Sequence, residues 1–166
     1  NETFEDNLLN KVLVVQYDDR KNIPQNLDKL LKINKKLILE DTTADYLFIN
    51  EPSNDLPPYW KKVKLVKDLL KTKNYKYVMW LDTDATIINL HKKLLNFIEN
   101  LIENKDMLIS NDMPPWTSDN FNAGVWIVKN TNNGKKIMEE WLKNYRKDLW
   151  SKQGGKWSCK NCIWAK

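Results

Sequence analysis

Two aspartates separated by one residue, Asp82 and Asp84, directly follow the apolar run Tyr77–Leu81. Such a run is typical of a buried strand, and carboxylates at its end can bind one divalent cation. A bound Mn²⁺ or Mg²⁺ there would accept phosphate oxygens as further ligands and neutralise a diphosphate leaving group. The alternative is that the two aspartates only form a turn and cap the next helix.

The rest of the chain alternates apolar runs with amphipathic segments. Strands are predicted at Lys11–Tyr17, Tyr46–Ile49, Tyr77–Leu81, Met107–Ser110 and Gly124–Val128. Helices are predicted at Asn22–Leu39, with Pro24 in its first turn, and at Trp60–Leu70, Leu90–Glu103 and Gly134–Lys147. The alternation predicts an α/β fold with a mostly parallel central sheet flanked by helices, in which ligands bind beyond the carboxyl ends of the strands. The stretch from Trp150 to Lys166 has too little periodicity to assign.

The chain has the size of one compact domain, with 166 residues of which 42% are hydrophobic. It begins at Asn1 rather than at Met, so we expect a fragment of a longer chain. Asn and Lys are abundant, whereas there are only four Gly. This composition is typical of AT-rich genomes, such as those of many large DNA viruses.

The net charge of +5 is not concentrated in one segment, because the lysines are interleaved with acidic residues. A nucleic-acid partner is therefore not expected, and a phosphate-bearing small molecule fits the charge as well. No window approaches the roughly 18 to 20 apolar residues that a bilayer span needs. We expect a soluble domain, compatible with the cytoplasm, although nothing in the sequence assigns its location.

The two cysteines, Cys159 and Cys162, form a single C-x-x-C pair. A structural zinc site needs four ligands, and the only histidine, His91, is far away in the sequence. We expect either two ordinary thiols or a local disulfide.

Two motifs together resemble those of a known group of enzymes. The segment Trp80–Ala85 follows a predicted helix and strand, and the segment Asn120–Asn130 comes about forty residues later. This order and spacing resemble the GT-A glycosyltransferases with a D-x-D motif, in particular glycosyltransferase family 34, over the range from Val12 to Tyr145. The resemblance implies transfer of a hexose-type sugar from a nucleoside-diphosphate sugar to a glycan or other acceptor, with Mn²⁺ or Mg²⁺ as cofactor. UDP is the commonest nucleotide in such families, and GDP remains open.

The resemblance also implies which residues contact the donor. By position these are Gln16, Tyr17 and Asp18 for the base, Arg20 and Lys64 for the diphosphate, Asp82 and Thr83 at the metal motif, and Asn122, Ala123 and Gly124 near the transferred sugar. Lys62 replaces Lys64 if the helix has a different phase. Gly124 would let a ligand approach the backbone, and Asn122 can exchange hydrogen bonds with sugar hydroxyls. In the alternative interpretation, Tyr17 is an aromatic residue at the edge of the core and the residues after it form a solvated turn. The segment around Gly124 would then only be a bend that leads into a core strand.

The catalytic residues and the third metal ligand are less defined. An inverting enzyme needs a carboxylate base near the acceptor, for which Asp112 and Asp119 are candidates, with Asn122 beside them. A retaining enzyme, as in family 34, does not need that base. His91 follows the D-x-D too closely to be the third ligand, which is then water or a residue beyond Lys166.

Two other classes of function remain. Asp82–Ile87 also matches the D-x-D-x-T motif of haloacid-dehalogenase-like phosphatases, in which Asp82 would be the nucleophile. That family needs a downstream acidic pair that this sequence does not contain. The third interpretation is a non-catalytic module that binds a nucleotide sugar.

Overall fold

The computed structural model describes residues 9–88, 93–112, 121–160 and 162. In this part of the chain, a central sheet is formed by β1 (Val12–Asp18), β2 (Ala44–Asn50), β3 (Tyr77–Leu81), β4 (Met107–Asn111) and β5 (Phe121–Lys129). It is flanked by helices α1 (Gln25–Leu39), α2 (Pro58–Thr72), α3 (Leu94–Ile102) and α4 (Asn132–Lys143). A 3₁₀ turn at Lys147–Leu149 leads into a hairpin of β6 (Trp150–Gln153) and β7 (Lys156–Cys159).

The strand order of the central sheet is β2-β1-β3-β5-β4. Strand β1 is parallel to β2 and β3, whereas β5 is antiparallel to β3 and β4. Four of the five strands therefore run in one direction, which confirms the predicted α/β fold with its mostly parallel sheet and flanking helices. Because β5 is reversed, its first residues lie at the same edge as the carboxyl ends of β1 and β3.

Both faces of the sheet are covered by apolar side chains. Successive side chains of a strand point to opposite faces, so Met79 and Trp80 enter different cores. Met79 packs with Ile98 on the face covered by α1 and α3. Trp80 packs with Val66 and Met138 on the face covered by α2 and α4. Two cores fix the sheet between the helix layers and so hold its polar edge in place.

Helices α1 and α4 have other limits than the sequence predicts. Helix α1 begins at Gln25 instead of Asn22, because Pro24 has an extended backbone and takes the N-cap position. Helix α4 begins at Asn132, where the Thr131 side chain accepts a hydrogen bond from the Gly134 N–H. It ends at Lys143 instead of Lys147, since the chain turns into the 3₁₀ segment.

The segment that the sequence left unassigned is largely a hairpin. Gly154 and Gly155 form its turn with φ angles of +55° and +80°, a conformation that favours glycine. Cys159, the last residue of β7, forms a disulfide with Cys162, with the two Cα atoms 5.6 Å apart. Of the two expected states of the cysteine pair, the structure contains the local disulfide.

Among the residues described here, every helix is too short or too polar to cross a bilayer.

Candidate functional site

Three strand ends meet at the polar edge of the sheet. Asp18 ends β1, Asp82 follows β3, and Gly124 lies in the first half of β5. The Asp82 N–H donates to the Gly124 carbonyl oxygen at 2.8 Å, which joins the two predicted motifs directly. The reversed direction of β5 therefore places residues forty positions apart side by side.

A cleft with two lobes opens at this edge. The first lobe has a volume of about 410 Å³ and the second about 730 Å³. Both are lined by Tyr59, Lys62, Asp82 and Asp84, so these residues lie at the boundary between the lobes. The first lobe, called the β1 lobe below, is completed by the end of β1 with Tyr17, Asp18 and Arg20, and the second, the β5 lobe, by Asp112 and the start of β5.

Asp82 is held by two donors from different elements. The buried Lys62 of α2 places its Nζ 3.2 and 3.3 Å from the two carboxylate oxygens. The same Nζ donates to the Ala123 carbonyl oxygen at 2.7 Å, and Trp80 Nε1 donates to Asp82 Oδ1 at 2.6 Å. The negative charge of Asp82 is therefore compensated by Lys62.

Asp84 has a different environment, although only one residue separates it from Asp82. Its side chain is exposed and lines both lobes, and no hydrogen bond or ion pair engages its carboxylate within the described residues. Thr83, between them, is buried, and its hydroxyl accepts a 3.4 Å hydrogen bond from Arg20. Asp84 is thus the more open of the two carboxylates for a cation.

The donor set fits Mn²⁺ or Mg²⁺ held partly by the protein. The described residues contain no group of three acidic, histidine or cysteine side chains close enough to form a complete metal site. Hard cations bind oxygen, and Mg²⁺ commonly takes one or two carboxylates while phosphates and waters fill the other positions. Asp84, with Asp82 lining the same two lobes, matches that pattern.

At the end of β1, Asp18 and Arg20 form a close ion pair. The Arg20 guanidinium contacts both carboxylate oxygens of Asp18, with Nε 2.8 Å from Oδ1. Burial by itself would raise the pKa of Asp18, but the hydrogen bonds and charge of Arg20 outweigh it, and the pKa lies below the ordinary value. The hydrogen bond to Asp18 raises the pKa of Arg20 in turn. Both members of the pair are therefore charged at neutral pH.

Tyr17 lines the β1 lobe although most of its side chain is buried. Its hydroxyl donates to the Glu51 carbonyl oxygen at 3.0 Å. Burial raises the pKa of Tyr17 to about 12, so the phenol is neutral at ordinary pH.

Two residues predicted to contact the donor lie elsewhere. Gln16 is fully buried beneath the cleft, where its Nε2 donates to the Asp82 carbonyl oxygen at 3.1 Å. Lys64 lies on the outer side of α2, where its Nζ pairs with Asp68 at 2.6 Å. Lys62, two residues earlier, has the position that the sequence reasoning first assigned to Lys64. Its spacing of four residues before the buried Val66 was the signal for that helix phase.

In the β5 lobe, Asn122 contacts both a backbone group and a carboxylate. Its Oδ1 accepts from the Gly124 N–H at 2.9 Å, and its Nδ2 donates to Asp112 Oδ1 at 3.0 Å. A Cβ atom at Gly124 would lie 2.9 Å from Asn122 Oδ1, so glycine allows this close approach. Asp119, the other predicted base, and His91 lie outside the described residues.

Several aromatic residues line the cleft that no sequence motif indicated. Tyr59, half exposed at the start of α2, lines both lobes, and Phe121, Trp60 and Trp141 line the β5 lobe. The only local signal for Tyr59 was its position after Pro57–Pro58, at the start of a helix whose other face is apolar.

The sequence and the fold are similar to those of known proteins. The sequence matches the family described as nucleotide-diphospho-sugar transferase over residues 7–155. A glycosyltransferase involved in the glycosylation of the major capsid of PBCV-1 has a similar structure, with a TM-score of 0.62, 18% sequence identity, and coverage of 84% of this chain and 69% of that chain. The glycosyltransferase GlyE of Streptococcus pneumoniae TIGR4 gives a TM-score of 0.48, 14% identity, and coverage of 82% and 41%. A197 from STIV gives a TM-score of 0.46 and 12% sequence identity, with coverage of 85% of this chain and 71% of that chain.

No curated protein matches this sequence. The structural likeness to the PBCV-1 protein, at 18% identity, concerns the fold. The sequence match extends across all five strands of the central sheet and both motifs at its polar edge, and covers most of the chain. The chain belongs to the nucleotide-diphospho-sugar transferase family.

Proposed function

We propose that the protein transfers a hexose-type sugar from a nucleoside-diphosphate sugar, with UDP as the first nucleotide to test, to a glycan acceptor. The observation that carries the proposal is the boundary between the two lobes, where a buried cation, a compensated carboxylate and an open carboxylate meet. A sugar transfer needs room for both a donor and an acceptor next to the reacting carbon. The two lobes provide one volume for each.

The β1 lobe is the proposed donor site. Tyr17 provides an aromatic wall for a base, and the Asp18–Arg20 pair provides fixed polar groups beside it. Lys62 and Arg20 both line this lobe, so two positive charges lie where a diphosphate would bind. Arg20 is partly exposed and pairs with Asp18 at the end of β1. Lys62 pairs with Asp82, and its ammonium group lies at the boundary between the two lobes.

Asp84, with Asp82 behind it, would hold the Mn²⁺ or Mg²⁺ that this family resemblance implies. The cation, when bound, stabilises the negative charge that develops on the diphosphate leaving group. Lys62 is proposed to act on the same charge, because positive groups fixed in advance stabilise a developing anion without reorganising. Its contacts with Asp82 and Ala123 keep the Nζ in place.

The β5 lobe is the proposed acceptor site. Asp112 has a partly exposed carboxylate oriented by Asn122, so it can take a proton from an acceptor hydroxyl if the reaction inverts configuration. In a retaining reaction, Asn122 and Gly124 would instead contact the transferred sugar. Tyr59 and Phe121 add exposed aromatic surface, on which sugar rings stack well.

The test measures release of nucleoside diphosphate from UDP-glucose, UDP-galactose and GDP-mannose, each with MnCl₂ or with EDTA. We expect Mn²⁺-dependent release from at least one donor, by transfer or by slow hydrolysis. Asp84→Asn should lower that release by about 100-fold or more, because a ligand of the charge-stabilising cation is lost. Asp68→Asn is the matched control, since the Asp68 carboxylate also reaches solvent but pairs with Lys64 outside the cleft.

Equal release by Asp84→Asn and Asp68→Asn, with both variants folded, would contradict the role of Asp84. Hydrolysis of p-nitrophenyl phosphate without activity on any nucleotide sugar would indicate the phosphatase interpretation. Binding of a nucleotide sugar without any release, even with a panel of mono- and disaccharide acceptors, would indicate a binding module.

A further inference from the structure

Asp84 is followed by four described residues, 85–88, that form neither helix nor strand. Among the described residues, the backbone of residues 82–87 bonds to the sheet where the Asp82 N–H donates to the Gly124 carbonyl oxygen, whereas the Ala85 N–H closes a turn within the segment on the Asp82 carbonyl oxygen at 3.0 Å. The position of the exposed Asp84 carboxylate therefore depends on what else holds residues 82–87.

Two buried side-chain amides lie beneath this segment. Gln16 comes from the middle of β1 and Asn34 from the inner face of α1, and both side chains are fully buried. We call this pair the amide clamp. A helix face toward a core ordinarily carries apolar residues, and Asn34 stands between the buried Leu31 and Ile38.

The polar atoms of the clamp are used almost entirely on the metal-motif segment. Asn34 Nδ2 donates to the Ala85 carbonyl oxygen at 2.9 Å, and Asn34 Oδ1 accepts from Thr86 Oγ1 at 2.9 Å and from the Ile87 N–H at 3.0 Å. Gln16 Nε2 donates to the Asp82 carbonyl oxygen at 3.1 Å.

The clamp also fixes its own orientation. Gln16 Oε1 accepts from Asn34 Nδ2 at 3.3 Å and from the Tyr46 hydroxyl at 2.9 Å. All four polar atoms of the two amides are thereby satisfied, as burial requires. A fully satisfied buried network is rigid, so the clamp holds the segment on both sides of Asp84, at Asp82 and at Ala85 to Ile87.

We propose that Gln16 and Asn34 are positioning residues for the donor and cation site. They hold residues 82–87 in the conformation that directs the Asp84 carboxylate into the cleft, and they do so from below without touching substrate. The inference rests on the proposed function, because it assigns the clamp to the same site.

Asn34→Leu tests the clamp, since leucine has a similar volume and no hydrogen-bonding group. The matched control is Asn130→Leu. Asn130 Nδ2 also donates to two backbone carbonyl oxygens, those of Lys73 and Tyr75, each at 3.0 Å, but at the opposite end of β3 from Asp82. Both variants lose backbone contacts of one amide, so both should lose thermal stability.

Binding separates the two variants. With MnCl₂ present, calorimetric titration of UDP and of GDP into Asn34→Leu should give a Kd about 10- to 100-fold higher than in the wild type, the usual cost of losing an outer-shell contact at a metal site. Asn130→Leu should stay within about twofold of the wild type. Without Mn²⁺, the difference between the variants should largely disappear.

Hydrogen exchange at Ile87 gives a readout that needs no ligand. Its amide should exchange slowly in the wild type and in Asn130→Leu, and fast in Asn34→Leu. If Asn34→Leu does not fold, Gln16→Met replaces it with the same expected loss of affinity, since Gln16 holds the Asp82 carbonyl oxygen.

The outcomes distinguish the two proposals. An Ile87 amide that exchanges fast in the wild type, or equal nucleotide affinities in the clamp variant and Asn130→Leu, would overturn the clamp. A wild-type protein that neither binds a nucleoside diphosphate nor releases one from any donor overturns the proposed function, and the exchange result then shows whether the clamp orders the segment.

Discussion

Lys62→Met tests the central contact of the cleft. Methionine keeps most of the apolar stem of lysine and removes only the charge and its hydrogen bonds. The change leaves the Asp82 carboxylate without its cation and the Ala123 carbonyl oxygen without its side-chain donor. We expect lower stability together with lower activity.

The size of the stability loss can be estimated from the burial of the two partners. Removing one partner of a buried ion pair costs about 3 to 5 kcal/mol. The Lys62 side chain is 9% exposed, but that of Asp82 is 34% exposed, so water partly solvates the carboxylate that remains. We therefore expect a loss of about 2 kcal/mol, which lowers the midpoint of thermal unfolding by about 4 to 8 °C in a protein of this size.

Lys64→Met is the matched control on the same helix. Lys64 pairs with Asp68 at the surface, with side chains 38% and 43% exposed. Such a pair four residues apart contributes about 0.3 to 0.5 kcal/mol, so the midpoint should fall by less than about 2 °C. The assays are urea and thermal unfolding, and Mn²⁺-dependent release of nucleoside diphosphate.

We expect Lys62→Met to lose most of its activity and Lys64→Met to keep it. Equal stabilities of the two variants would refute the buried ion pair. Loss of activity in Lys64→Met alone would refute the assignment of Lys62 to the diphosphate and restore the role first predicted for Lys64.

Two further substitutions test the end of β1 and the start of α4. Asp18→Asn should lower the free energy of unfolding by about 1 to 3 kcal/mol at pH 7. Since the pKa of Asp18 is lowered in the folded state, its stabilisation is present above about pH 5 and is lost as pH falls through that lowered pKa, so the difference from the wild type in urea unfolding should shrink below about pH 4. A constant difference would contradict the Asp18–Arg20 pairing. Gly134→Ala should cost about 3 kcal/mol in the same assay, because its methyl group would collide with the Lys129 carbonyl oxygen, and unchanged stability would show that this approach is not close.

Local sequence patterns were sufficient for the elements that lie in the cores. Tyr77–Leu81 was predicted with the limits that β3 has, and Lys11–Tyr17 was predicted as a strand where the fully buried β1 lies. In both cases the residues of the element itself determine its conformation and its burial. The D-x-D motif was placed at a strand end for the same reason.

Two features of the site, the role of Lys62 and the burial of Gln16, depended on contacts between side chains of different helices and strands. The choice between Lys62 and Lys64 depends on the phase at which α2 packs on the sheet, and apolar spacing fixes that phase only to within a residue or two. Gln16 directly follows the apolar residues Val12–Val15 and has the polarity of a binding residue, yet it faces Asn34 in the interior. The sequence does not show that these two amides meet.

The sequence by itself determined the α/β class, the central strands and the acidic motif after β3, because these follow from periodicities within a few neighbouring residues. Only the tertiary structure decided that β5 runs antiparallel beside β3, that Gly124 therefore contacts Asp82, and that Lys62 compensates one aspartate while the other stays open. Contacts between residues distant in sequence are set by how helices and strands pack. No local pattern encodes them.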